Sequence, residues 1–235
     1  PKVSAVAIIY RFCLEPFGNF YSEWSQIIIF LSIASMFLGA IAAIAQQSIK
    51  RLLAYSSIGH VGYILIGLAS ANAAGIKGVV IYMLIYVVMN IAIFSIILSL
   101  KNNNSYIEKI SELSGLSKSK PIISLSIAII MLSLAGIPPF AGFFGKFYIF
   151  IAAVEADLIL LAVLGVISSV ISAYYYLRII KVLYFDEVGD SNYQSIITSQ
   201  SLAVLICAIL FLSFFIFYPS IFVTIGTTIS LDFFQ

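Results

Sequence analysis

The sequence predicts an all-α membrane protein that crosses the bilayer several times, and three observations lead to that prediction. Hydrophobic residues make up 62% of the 235 residues, whereas charged residues make up only 9%. The apolar residues occur in runs long enough to cross a hydrocarbon layer of roughly 30 Å. One run contains several glycines and two adjacent prolines, which do not fit a continuous helix. A soluble globular domain is therefore excluded.

The uninterrupted runs predict membrane-spanning helices at residues 24–45, 52–71, 78–100, 158–184 and 202–225. An apolar remnant at residues 1–13 is about half the length of a span, so we expect a truncated helix and a piece of a longer protein. Together with the interrupted run at 122–154, these segments predict about seven transmembrane helices.

The interrupted run is either one broken span or two short spans, and the distribution of basic residues separates the two. If it is one span, eight basic residues share one side of the membrane: Lys50, Arg51, Lys101, Lys109, Lys118, Lys120, Arg178 and Lys181. Only Arg11 and Lys77 then lie on the other side. If it is two, Arg178 and Lys181 move to the opposite side. We therefore predict one broken span, with the C-terminal tail outside.

The break itself is predicted from Gly136, Pro138, Pro139 and Gly142, and Lys146 follows it by a few residues. A lysine at bilayer depth is costly, which favours an ion or proton site. The start of the second half-helix and desolvation disfavour the ammonium form, whereas unpaired carbonyls at the end of the first half-helix favour it. We predict that Lys146 loads and releases protons; the alternative is a lysine that snorkels to the interface.

Lys2 is a second candidate proton site. It precedes Arg11 by nine residues, and Arg11 with Glu15 marks the membrane edge. A helix would place Lys2 roughly 13 Å deep. The alternative is the polar end of a loop.

His60 is a third candidate, because imidazole passes protons near neutral pH and this residue lies within the span at 52–71. Hydroxyls that could order water nearby are those of Tyr55, Ser56, Ser57 and Tyr63. The alternative is a satisfied core histidine.

The remaining patterns predict no chemistry. Tyr174, Tyr175 and Tyr176, followed by Arg178, are typical of an aromatic belt with its cationic anchor. The chain has no phosphate-binding glycine loop, no Cys-x-x-Cys and no carboxylate cluster with metal spacing, so we expect no metal and no cofactor in this chain. Its basic residues are too scattered for binding to nucleic acid.

Three motifs together resemble the antiporter-like membrane subunits of respiratory complex I. They are QQSIKRLLAYSSIGHVGY at 46–63, LSLAGIPPFAGFFGKFY at 132–148 and AYYYLRI at 173–179. The SSIGH form and the three tyrosines favour the subunit N branch of that family, which is called subunit 2 in mitochondria.

The resemblance implies the second half of an inverted-repeat fold, as a single membrane domain over residues 1–235. Residues 1–13 match a truncated helix, 24–185 most of the second repeat, and 202–225 the terminal helix. It also implies that Lys146 is the lysine of the broken helix, that Lys2 is the lysine of the eighth helix, and that His60 bridges them.

The implied function is proton translocation in NADH-quinone oxidoreductase, coupled to quinone reduction elsewhere. NADH, FMN, iron-sulfur clusters and quinone are expected in partner subunits of the membrane-bound complex, and none of these cofactors in this chain. The implied location is the bacterial inner membrane or, alternatively, the mitochondrial inner membrane. Alternative functions are a subunit of a multisubunit sodium/proton antiporter, a membrane subunit of an energy-converting hydrogenase, and a non-conducting structural subunit of the membrane arm.

Overall fold

The computed structural model describes residues 2–102, 105–186, 193–195, 205–206, 208–209 and 219–234. The described helices are α1 Lys2–Leu14, α2 Tyr21–Ile44, α3 Ile49–Ala69, α4 Ala73–Ser99, α5 Leu116–Ser119, α6 Pro121–Ala135, α7 Ala141–Glu155, α8 Ile159–Tyr184 and α9 Pro219–Phe234. Short 3-10 helices occupy Gly18–Phe20 and Ile110–Leu113.

In these described segments, four helical stretches are long and apolar enough to cross a membrane: Gly18–Ile44, Ile49–Ala69, Ala73–Ser99 and Ile159–Tyr184. They coincide with the spans predicted at 24–45, 52–71, 78–100 and 158–184, which are confirmed as long apolar helices. The span predicted at 202–225 lies mostly outside the described residues, and α9 extends beyond its predicted end to Phe234.

Helices α3 and α4 form the centre of the bundle, and each carries more buried residues than any other described helix. Helix α3 packs against α2, α4, α7 and α8, and α9 packs against α4. Helices α2 and α8 instead expose rows of large apolar side chains, including Phe30, Ile41, Leu160, Val163 and Val170. Apolar faces of this kind suit contact with lipid rather than water.

A small antiparallel sheet lies at one end of the bundle and is formed by the polar connections between helices. Its strands are β1 Leu100–Asn102, β2 Ser105–Tyr106 and β3 Tyr193–Ser195, in the order β2-β1-β3. The register pairs Lys101 with Tyr106 and with Gln194. The sheet therefore joins the connection after α4 to the connection after α8, a pairing that the sequence patterns did not predict.

The same end also holds the turn between α2 and α3. The backbone of Ile49 donates to Glu108, and that of Ile110 donates to Gln47. At the opposite end, Asn72 follows α3, and its amide donates to the carbonyl of Ala152 near the end of α7. The start of α6 and the end of α7 thus lie at opposite ends of the bundle.

Candidate proton-transfer site at the interrupted helix

Helix α6 ends at Ala135 because Gly136 adopts a left-handed conformation, with φ of 82°. The Gly136 amide donates to Ser133 O at 3.0 Å, and the Ile137 amide donates to Leu132 O at 3.1 Å. This is the Schellman arrangement, in which a glycine closes the helix and satisfies two of its last carbonyls. The carbonyl of Ala135 is left available to a side chain.

Helix α7 begins at Ala141, after Pro138 and Pro139, which are joined by a cis peptide bond. The amide of Gly142 in the first turn of α7 donates to Ser133 Oγ at 3.1 Å, so a serine of α6 caps α7. A Cβ atom at Gly142 would overlap the backbone oxygen of Ser133. The two helix ends can approach this closely because residue 142 has no side chain.

Lys146 lies on α7 with only 4% of its surface exposed. Its Nζ donates to the Ala135 carbonyl at 2.9 Å and to Ser169 Oγ on α8 at 2.8 Å. It also lies 4.9 Å from the centre of the Tyr63 ring, within range of a cation–π interaction. The amine is therefore held at the negative end of the α6 dipole.

A cavity of about 740 Å³ between α7 and α8 adjoins Lys146. Its walls are apolar and include Phe143, Phe147 and Val166, whereas Lys146 and Ser169 line its inner part. The amine thus sits between a polar cluster of side chains and an apolar groove.

His60 is buried on α3, and both of its ring nitrogens have hydroxyl partners. Nδ1 is hydrogen-bonded to the Tyr82 hydroxyl on α4, and Nε2 to the Tyr176 hydroxyl on α8 at 2.9 Å. The Tyr176 hydroxyl is also bonded to Ser56 Oγ. A neutral imidazole donates from one nitrogen and accepts at the other, so one of the two phenols donates to His60 and the other accepts from it.

Lys2 begins α1, on the same helix as Arg11, and its side chain is exposed among the described residues. Its Nζ donates to the Tyr86 hydroxyl at 3.2 Å. The Tyr86 ring lies 4.7 Å from the ring of His60, centre to centre. Tyr86 therefore connects Lys2 to His60.

The structure corrects the interpretation of the three tyrosines as an aromatic belt. Tyr174 is 60% exposed, but Tyr175 and Tyr176 are 2% and 1% exposed. Adjacent residues on a helix point about 100° apart, so a run of three can contribute to both the lipid face and the interior. The Nη1 of Arg178 donates to the carbonyls of Ile44 and Gln46 at the end of α2.

Sequence reasoning missed Tyr82, Tyr86, Ser169 and Tyr176 as members of this site. Of the hydroxyls it did predict, the structure places Ser56 and Tyr63 at the site. It leaves Ser57 outside, bonded to the Ala54 carbonyl of its own helix. The spacing of Ser168, Ser172, Tyr175 and Tyr176 was the available signal, because residues three and four apart share one helix face.

Across the described parts of the chain, no group of three or more His, Cys, Asp or Glu side chains is placed to hold a metal ion. The chemistry that these polar residues can perform is proton exchange among two amines, one imidazole and several hydroxyls.

Residues 1–172 match the family described as NADH:quinone oxidoreductase/Mrp antiporter, transmembrane. The chain belongs to this family. The chain therefore has the mostly helical, membrane antiporter-like fold of this family, as the resemblance implied.

Curated relatives identify the branch of the family that the chain resembles. The chain is 51% identical over 220 residues to NADH-quinone oxidoreductase subunit N of Parvibaculum lavamentivorans, an alignment that covers 94% of this chain and 45% of that protein. The predicted resemblance to subunit N is confirmed. The chain spans about half the length of the curated relatives it matches.

Solved structures give the same fold. A chain of respiratory complex I from Thermus thermophilus matches with a TM-score of 0.75 and 31% identity, over 85% of this chain and 45% of that one. A chain of the Mrp complex from a Dietzia species matches with a TM-score of 0.85 over 98% of this chain and 51% of that one. At 20% identity, the second likeness concerns the fold alone.

Proposed function

We propose that this chain forms part of a proton-translocating membrane subunit of NADH-quinone oxidoreductase, in which Lys146 takes up and releases the transported proton. The observation that carries the proposal is the position of Lys146. Its amine is buried, lies at the interruption between two helices, and is bonded to the Ala135 carbonyl and Ser169. A buried ionisable group of this kind is a functional site by default in a membrane protein.

Helices α6 and α7 are proposed to be the two halves of one broken span, broken at Gly136, Pro138, Pro139 and Gly142. The start of α6 lies at the end of the bundle that carries the sheet, whereas the end of α7 contacts Asn72 at the opposite end. With α1, α2, α3, α4, α8 and α9, this gives about seven transmembrane helices in one membrane domain, the second half of an inverted-repeat fold.

Protons are proposed to pass from Lys2 through His60 to Lys146. The support is the contact series in which Lys2 bonds to Tyr86, Tyr86 lies against His60, and His60 bonds to Tyr176. Repulsion between like charges supplies the driving force, because two ammonium groups in a low-dielectric interior do not remain protonated together at low cost.

The complete protein is proposed to work within the membrane arm of a respiratory complex in the bacterial inner membrane. Partner subunits would bind NADH, FMN, iron-sulfur clusters and quinone. The support is the identity to bacterial subunit N proteins over most of this chain. A subunit of a multisubunit sodium/proton antiporter is the second candidate, since the family and the fold include Mrp proteins. The 51% identity to subunit N, against 20% to the Mrp chain, favours the first.

The test is the substitution Lys146→Ala in the complete subunit, assembled in its complex in membrane vesicles. Protons translocated per NADH oxidised are measured from the acidification of the vesicle interior. Removal of a proton-transfer group slows the step by about 100-fold or more, so the contribution of this subunit to the proton yield is lost. Assembly of the complex is expected to be retained, because Ser169 Oγ also donates to the Ala135 carbonyl, at 3.4 Å, and this contact remains when the amine is removed.

Lys118→Ala is the matched control. Lys118 is an exposed lysine on α5, outside the proposed route. The Lys118→Ala substitution removes the same charge and the same side-chain atoms as Lys146→Ala, and we expect a wild-type proton yield from it. A wild-type yield from Lys146→Ala as well would refute the proposed function.

A further inference from the structure

Helix α8 carries a row of hydroxyl groups on the face that points into the bundle. It comprises Ser168, Ser169, Ser172, Tyr175 and Tyr176, which we call the α8 hydroxyl face. Ser168 is completely buried, and Ser172, Tyr175 and Tyr176 are each at most 5% exposed. An apolar side chain fills such a position at lower cost, so a row of buried hydroxyls needs a reason.

One end of the α8 hydroxyl face contacts His60. The Tyr176 hydroxyl lies 2.9 Å from His60 Nε2 and is also bonded to Ser56. Tyr175 and Ser172 line the same small space as His60. His60 therefore adjoins a group of hydroxyls rather than apolar packing.

The other end contacts Lys146. Ser169 Oγ is 2.8 Å from Lys146 Nζ. The Tyr63 ring faces the same amine, and its phenol donates to Ser168 Oγ at 3.4 Å. Tyr63 and Ser172 also line the small space that adjoins both His60 and Lys146, so this space joins the two ends.

The space enclosed by these side chains is too small to admit water. It is lined by Ser56, Gly59, His60, Tyr63, Leu134, Lys146, Ser172, Tyr175 and Tyr176. A proton that moves between His60 and Lys146 across this space meets the hydroxyls of Tyr176, Tyr175, Ser172 and Tyr63, which line it.

We propose that the α8 hydroxyl face, together with Tyr63, transfers protons between His60 and Lys146 directly from hydroxyl to hydroxyl. This proposal rests on the proposed function and adds the residues that perform the transfer. The route runs from His60 through Tyr176, Tyr175 and Ser172 to Tyr63, and then through Ser169 to Lys146.

The transfer balances without any redox step. Protonated His60 gives its Nε2 proton to the Tyr176 oxygen, while Tyr176 passes its own proton to the next hydroxyl. Ser169 finally gives its proton to the neutral amine of Lys146. Each O–H bond that breaks is replaced by one that forms, so the imidazole ends neutral and the amine ends as an ammonium. The hydroxyls then rotate back before the next transfer.

The three consecutive tyrosines provide a closely matched pair of variants for the test. Tyr176→Phe removes one hydroxyl from the route and leaves the ring in place. Tyr174→Phe removes the same atom from a neighbouring residue that is 60% exposed on the outer face. Both variants are made in the complete subunit, and NADH-driven proton translocation is measured in vesicles at equal amounts of assembled complex.

We expect Tyr176→Phe to slow proton translocation about tenfold or more, because a group that takes part in proton transfer is lost. Tyr174→Phe is expected to match the wild type. Equal rates for Tyr176→Phe, Tyr174→Phe and the wild type would overturn the proposal.

Two substitutions of Ser172 distinguish a role in proton transfer from a role in packing. Ser172→Ala removes its hydroxyl, whereas Ser172→Thr keeps it. We expect slow translocation from the first variant and recovery in the second. Wild-type translocation by Ser172→Ala would overturn the proposal. If Ser172→Thr does not assemble, the tyrosine pair decides the outcome.

Failure of this proposal is distinguishable from failure of the proposed function. If Lys146→Ala loses translocation while Tyr176→Phe and Ser172→Ala keep it, Lys146 is a proton site that protons reach by another route. If all three variants translocate like the wild type, the function itself is wrong.

Discussion

Gly136→Ala is expected to displace Lys146 without altering any group that carries a proton. A Cβ atom built on Gly136 lies 2.9 Å from Cδ of Lys146, 3.1 Å from its Nζ and 3.3 Å from its Cε. Real Cβ atoms rarely approach other atoms this closely, so the lysine side chain has to move. The same substitution places an alanine at φ of 82°, where a side chain costs about 1–2 kcal/mol.

Movement of Lys146 also weakens its bonds to the Ala135 carbonyl and Ser169. Hydrogen bonds from a charged donor contribute about 1.5–3 kcal/mol, so the combined cost is roughly 2.5–5 kcal/mol. We expect the subunit to dissociate from the complex at a lower temperature and the protons translocated per NADH to fall.

The assay heats the purified complex in steps and measures the subunit retained, alongside the proton yield in vesicles at a temperature where assembly is complete. Gly18→Ala is the control, because a Cβ atom there meets nothing within 4 Å. A Gly136→Ala complex as heat-stable as the Gly18→Ala complex, with a wild-type proton yield, would refute this reasoning.

Two further substitutions test neighbouring parts of the structure. His60→Leu is expected to slow proton translocation less than Lys146→Ala does. Hydroxyls surround the imidazole and can partly replace it, whereas no second amine among the described residues lies beside Lys146. An equal or greater loss in the vesicle assay would show that His60 is the more important of the two proton sites. Arg178→Gln removes a guanidinium that donates to two carbonyls at the end of α2, which costs about 1.5–3 kcal/mol. In the heating assay, the Arg178→Gln complex should lose the subunit at a lower temperature than the wild type, and its proton yield at low temperature should be normal. Unchanged heat stability would count against the role of Arg178 in capping α2.

The helices were largely predictable because membrane spans depend on the length of apolar sequence. The predicted run at 158–184 and helix α8, Ile159–Tyr184, differ by one residue at the start. The end of α6 was predictable in part from covalent geometry, since Gly136 can adopt the left-handed conformation that closes a helix, and Pro138 and Pro139 lack the amide hydrogens that continue one. Lys146 stood out for a similar reason, as one charge within a long apolar run.

The partners of Lys146 and His60 were not predictable, because they come from other helices whose packing the sequence does not specify. Ser169 follows Lys146 by 23 residues, and Tyr176 follows His60 by 116. Tyr176 also belongs to a pattern that is typical of membrane interfaces, and only the rotation of α8 turns its ring inward. The sheet was missed because its strands have two or three residues, too few for a pattern.

The most direct measurement of the central claim is the proton yield of Lys146→Arg in the assembled complex. Arginine keeps a positive charge and hydrogen-bond donors, but it does not release its proton in proteins. If Lys146 exchanges protons, the Arg variant assembles and translocates fewer protons per NADH than the wild type. If it serves only as a fixed charge that joins α6 to α8, the Arg variant translocates protons like the wild type, and that result would contradict the account.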